Sequence, residues 1–165
     1  MYTFSNGLVA SSGCIGGGKY QPPQPPDSFH LWAAEGWLRL GNHLEASKEL
    51  EKVAPQLQAH PVALIIRWEI DAGARNWAAA LDIATALTQI LPEAPLGWIN
   101  RSFSLHELNR TSEARDNLLG VVDKFPACGT LKYNLALYEY QLGRVDQARH
   151  WLEKSLELGG DNQMN

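Results

Sequence analysis

From Asp27 onward, apolar residues recur at intervals of three and four in runs long enough for helices, and short polar turns separate the runs. The run Val145-Asp146-Gln147-Ala148-Arg149-His150-Trp151-Leu152 is representative, with Ala148 and Leu152 one turn apart on the same side of an amphipathic helix. The pattern is also periodic on a larger scale. Ala46, Ala80, Ala114 and Ala148 follow one another at a spacing of 34 residues. Taking each alanine as the twentieth residue of a unit divides the chain into repeats 27–60, 61–94, 95–128 and 129–162 without an insertion. Each repeat then reads as a helix, a short turn and a second helix.

The breaks repeat in the same frame. Gly41-Asn42, Arg75-Asn76, Asn109-Arg110 and Gly143-Arg144 occupy one place in successive repeats, where a left-handed or capped end to the first helix is expected. Pro92 and Pro126 mark the second break. Pro61 and Pro95 open first helices, where the missing N–H has no intrahelical partner to lose.

This arrangement resembles the tetratricopeptide repeat family, whose signature runs large, Leu, small, aromatic on the first helix, then Ala, aromatic or Leu, Ala and Pro on the second. The third unit shows it as Trp98, Ser102, Leu105, Ala114, Leu118, Val121 and Pro126, the fourth as Leu135, Ala136, Ala148 and Leu152. The resemblance covers residues 27 to about 160 and implies an all-α fold, a right-handed α-solenoid of four helix-turn-helix repeats. Trp68 stands where the family has a small residue and Ala84 where it has a large one, so a volume exchange is expected. Arg67, Asp71 and Arg101 take positions that are usually apolar. A buried charge needs a partner, and Asp71 is expected to pair with Arg101.

Residues 1–26 differ in kind. Gly16-Gly17-Gly18 and Pro22-Pro23-Gln24-Pro25-Pro26 read as a flexible tail and a semi-rigid spacer ahead of a domain at 27–160, with residues 161–165 a flexible C-terminus. The spacer has PxxP spacing without the flanking Arg of a Pro-rich ligand. The run from Gly13 to Tyr20 nearly spells a P-loop. It ends in Tyr20 in place of the Ser or Thr that holds magnesium, and prolines follow where a helix is required. Cys14 follows a weak lipoprotein-like stretch with no preceding Lys or Arg, so a cytoplasmic protein is expected over an exported or lipidated one.

Charge and composition narrow the function. Lys and Arg total 14 against 18 Asp and Glu, a formal charge of −4, which leaves no cationic excess for nucleic acid or anionic lipid. The longest aliphatic run, Val62 to Ile66, falls far short of the roughly 20 residues that span a bilayer. Cys14 and Cys128, the two cysteines, have no metal or redox spacing. His30, His43, His60, His106 and His150 are scattered singly, and no nucleophile motif accompanies them. No catalytic residue, metal or cofactor is therefore assigned.

In the family, first helices line a concave surface, and the resemblance places Leu31, Ile65, Ile99 and Tyr133 as successive rungs of a ladder. Beside them run Glu35, Glu69, Phe103 and Leu137, then Leu38, Ala72, His106 and Tyr140. At helix spacings of about 8–10 Å the four rungs span roughly 30 Å. The clamp that chaperone-binding members use for acidic C-termini would fall on Leu31, Glu35, Ile66, Leu96 and Asn100, of which only Asn100 is a suitable donor. The ladder instead suits an apolar or basic segment, and the resemblance implies a non-enzymatic adaptor, scaffold or chaperone-like module. The competing view is that these side chains pad helix contacts. The other functional reading is self-assembly through the last repeat. Trp151 and Leu158 would form that end interface, although Lys132, Glu139 and Ser155 look adapted to water.

Overall fold

The computed structural model describes residues 21–160, which form eight α-helices. These are α1 (Asp27–Arg39), α2 (His43–Glu51), α3 (Pro61–Gly73), α4 (Trp77–Ile90), α5 (Pro95–Glu107), α6 (Thr111–Leu119), α7 (Gly129–Gln141) and α8 (Val145–Gly160). Single 3₁₀ turns stand at Pro55–Leu57 and Val122–Lys124, and no strand occurs among the described residues. The expectations for the tail, Cys14, the P-loop-like run and the last five residues lie outside the described residues.

The helices fall into two compact units, α1–α4 through Ala94 and α5–α8 from Pro95. In the first, α1 pairs with α2 and α3 with α4, and α3 also packs on α2 and α1. Its core contains Leu31, Ala34, Ala46, Leu50, Val53, Ala63 and Ile66. The second repeats the plan with α5, α6, α7 and α8. Ala46, Ala80, Ala114 and Ala148 are all buried, each near the start of a second helix, where a larger side chain would push the hairpin open. Trp68 and Ala84 are both buried as well.

The ends of the first helices explain why the frame is so regular. Gly41 and Gly143 have φ of 75° and 76°, and Arg75 and Asn109 have φ of 59° and 61°. In each case the next N–H reaches back five residues: Asn42 to Trp37 O (2.9 Å), Asn76 to Asp71 O (2.8 Å), Arg110 to Leu105 O (2.9 Å) and Arg144 to Glu139 O (2.8 Å). This left-handed closure satisfies carbonyls that the helix would otherwise leave open, and it turns the chain straight into the second helix. Asn42 also caps α2, its Oδ1 accepting from Glu45 N–H at 3.1 Å. Asn42→Ala is expected to lower stability by about 1 kcal/mol, read from the urea midpoint at unchanged slope.

Gly73 marks a close approach. A Cβ there would collide with the His43 ring at the start of α2.

Several polar groups inside the second unit pair between helices. Ser102 donates to Ala114 O at 2.9 Å, and Asn117 Nδ2 reaches Ser102 Oγ and Trp98 O at 2.6 and 3.0 Å, joining α5 to α6. Arg101 donates to Asn117, and in the first unit Asn76 Nδ2 donates to Asp71 and Arg67 to Gln58, so each of these charges has an amide partner within its own unit. Lys132 and Glu139 correct the expectation that they face water, for both are buried in α7. Lys132 Nζ donates to Pro126 O. Glu139 accepts from Arg115 Nε of α6 at 2.8 Å, while Arg144 approaches its other oxygen at 3.5 Å, close enough for ion pairing and too long for a strong hydrogen bond. The pattern could not reveal this because α7 is covered by α5, α6 and α8 at once.

Candidate first-helix faces

The two units present different surfaces on their first helices. In the first, Leu31 and Ile65 correct the expectation of an exposed ladder: both are buried, at 2% and 5% exposure, and pad the helix contacts. Of the proposed clamp positions, Ile66 and Asn100 are buried too. What the first unit leaves half-exposed is a pair of carboxylates, Glu35 on α1 and Glu69 on α3.

Neither carboxylate makes a side-chain hydrogen bond among the described residues. Burial pushes the Glu69 carboxyl up to about 7, the nearby Glu35 charge adds to the rise, and Arg39 opposes it. Burial also raises Glu35 above the ordinary carboxylate range, again against Arg39. Two acids share one arginine in a partly dry setting, an arrangement that favours an additional cation. Arg39, one turn beyond Glu35, was not picked out by the pattern because the repeat frame gives no cue to charge pairing across helices.

The second unit offers an apolar face. Tyr133 and Tyr140 on α7 are exposed and Leu137 between them is half-buried, at helical spacing of four and three, so the three form one stripe. Ile99, Phe103 and His106 on the neighbouring α5 are all partly exposed. The His106 ring lies 5.2 Å from that of Tyr138, and its Nδ1 is 3.1 Å from Thr111 Oγ1, which fixes its orientation.

Trp151 and Leu158 are half-buried, and Leu158 lies against the start of α7, where a Cβ on Gly129 would meet its own Cβ at 3.7 Å. Ser155 Oγ donates to Gly129 O at 2.9 Å on the same side. The side chains that turn outward from α8 are Val145, Leu152 and Leu156.

Elsewhere in the first unit a cleft of about 300 Å³ lies between α2 and α3, lined by Ser47, Leu50, Glu51, Arg67, Ile70 and Asp71. Among the described residues no group of three or more His, Cys, Asp or Glu is placed to hold a metal ion. No described helix is long and apolar enough to cross a membrane.

Paired helices at a constant 34-residue step define an α-helical repeat protein of the protein-interaction class. The tetratricopeptide repeat family pattern matches residues 104–162, and the same hairpin recurs in register through the earlier repeats. Residues 104–162 therefore belong to the tetratricopeptide repeat family. Solved structures of MamA share the fold. One described as the crystal structure of MamA has a TM-score of 0.73 at 14% identity, over 85% of this chain and 82% of that one. The MamA RS-1 ArsTM double mutant gives 0.72 at 13%, over 87% and 80%, and MamA MSR-1 gives 0.66 at 16%, over 81% and 76%. At such identities the likeness concerns the fold alone. No curated protein sequence matches the chain.

Proposed function

We propose that this chain is an adaptor that holds an apolar or basic segment of another polypeptide on its first helices. The observation that carries the reading is the stripe of Tyr133, Leu137 and Tyr140, left open on a helix whose other faces are covered by α5, α6 and α8. Aromatic side chains with a polar tip are frequent anchors of protein contacts, since they offer large area at low entropic cost. In the first unit, Glu35 and Glu69 give that unit's own surface a preference for Lys or Arg. Because Glu69 is protonated in a substantial fraction of molecules near pH 7, a cation bound there displaces a proton, and affinity rises with pH through that region.

Selection from a displayed library of random peptides tests the proposal. Apolar sequences, and sequences carrying Lys or Arg, should be enriched. The affinity of an enriched peptide, measured by calorimetry, should fall at least about tenfold in Tyr133→Ala/Tyr140→Ala, the loss expected for removing two anchors. Glu35→Gln/Glu69→Gln should weaken basic peptides and spare their neutral analogues. Equal affinity for wild type and the double tyrosine variant would remove this function.

A further inference from the structure

The first and last helices each keep open a face that is closed at the same place in other repeats. On second helices, Leu118 is 0% exposed in α6, which packs on α5 and α7, and Leu50 is buried in α2, which packs on α1 and α3. Their counterpart in α8, Leu152, is 39% exposed, and Val145 and Leu156 extend it into a stripe at spacings of seven and four. On first helices, Leu131 of α7 is 0% exposed and Ala63 of α3 equally so, each on a helix packed against the preceding second helix. Their counterpart in α1, Phe29, is 56% exposed, and Trp32 beside it is 63% exposed where Ile66 of α3 is buried. The Phe29 and Trp32 rings pack together at 5.7 Å, forming one apolar block on the outer side of α1, with Leu40 exposed at its far end.

We propose that copies of this chain join head to tail, the open face of α8 in one copy taking the open face of α1 in the next. The contact continues in trans the packing by which α2 takes α3 and α6 takes α7 within one copy. The two open faces carry the frame positions that are buried on the helices making those internal contacts, so a second copy would supply what each lacks. Electrostatics agree. Arg115 of α6 pairs with Glu139 of α7, and the same frame positions are Arg149 of α8 and Trp37 of α1. Trp37 packs partly on its own core, so across the joint the guanidinium meets the remaining indole surface, which attracts cations.

The two faces differ, so the contact is heterologous and leads to chains or rings beyond the dimer. A single helix pair buries less than the roughly 1,200 Å² at the lower end of stable complexes, so assembly is weak and grows with concentration.

Sedimentation velocity over a range from micromolar to near-millimolar chain tests this. The wild type should show a sedimentation coefficient that rises with concentration past that of a dimer. Trp32→Glu and Leu152→Glu each place a charge at an already exposed site and should each remain monomeric, with unchanged helical circular dichroism. Mixing the two variants should restore one dimer and nothing larger, because one retains a working tail and the other a working head. Three results would overturn the proposal. One is a wild type that stays monomeric throughout, as it would if the chain's own residues 1–20 or an unrelated partner covered these faces. Another is assembly that Leu152→Glu abolishes and Trp32→Glu leaves intact, the mark of symmetric tail pairing. The third is a mixture that stays monomeric.

Discussion

Glu139→Ala is expected to lower the unfolding free energy of the second unit by about 3 kcal/mol, toward the lower end of the cost of breaking a buried ion pair. The carboxylate is 1% exposed, and one of its oxygens accepts from Arg115 Nε at 2.8 Å. Truncation takes from the guanidinium the buried acceptor of its Nε–H. The cost falls at the lower end because Arg115 keeps some access to water and a second partner, Asp116 at 2.7 Å. Urea unfolding followed by far-UV circular dichroism measures the change. Arg115→Leu/Glu139→Leu should recover most of the loss, since an apolar pair removes the desolvation cost along with the attraction. A loss of under about 1 kcal/mol in Glu139→Ala would mean that the pair behaves as a solvated surface bridge.

The second large effect has the opposite sign. Glu69→Gln should stabilise the first unit at alkaline pH and leave it unchanged at acid pH. The folded state raises the Glu69 carboxyl from the ordinary 4.5 to about 7, so it binds a proton more tightly than the unfolded chain does. Stability is then unaffected below about pH 4.5, declines as pH rises toward 7, and is lowest above it. A rise of that size corresponds to about 3 kcal/mol, and partial access to water brings the expected gain in Glu69→Gln near 2 kcal/mol at pH 8.5. Glu35, raised in the same direction by burial, adds to the decline in the wild type. Thermal melts of both proteins from pH 4 to 9 would show it as a gap that opens with pH. A gap independent of pH would place the effect in packing and not in charge.

The stability that Glu69 forgoes is consistent with a carboxylate kept for a partner, because a cation docked between Glu35 and Glu69 would recover the lost interaction. This joins the stability experiment to the binding experiment. A peptide that binds through Lys or Arg should flatten the pH dependence of the wild type and have no such effect on the glutamine variant.

The repeat frame was legible from the chain alone for a local reason. Glycine at 41 and 143 and asparagine at 109 tolerate the left-handed closure that ends a first helix. Alanine at 46, 80, 114 and 148 is small enough for two helices to meet. Both requirements act over a few residues and recur every 34, so they leave a readable trace. Tyr133, Leu137 and Tyr140 were equally legible as one side of a helix, since a period of 3.6 assigns faces.

Periodicity assigns faces without saying what covers them. Leu31 and Ile65 share a frame position with Tyr133, yet the first two are core and the third is open. Glu139 looks like a solvated residue until α6 and α8 close over it and Arg115 supplies its counter-charge. Leu152 is the equivalent of Leu118, and only the absence of a following helix among the described residues leaves it in water. The amino-acid order by itself determined where helices begin, where they turn and which side of each is apolar, because those follow from backbone preference and side-chain size within a turn or two. Which apolar sides become core, which charges are buried with a partner and which faces remain for another molecule was decided only by tertiary structure, because burial is a property of neighbours brought together from distant parts of the chain.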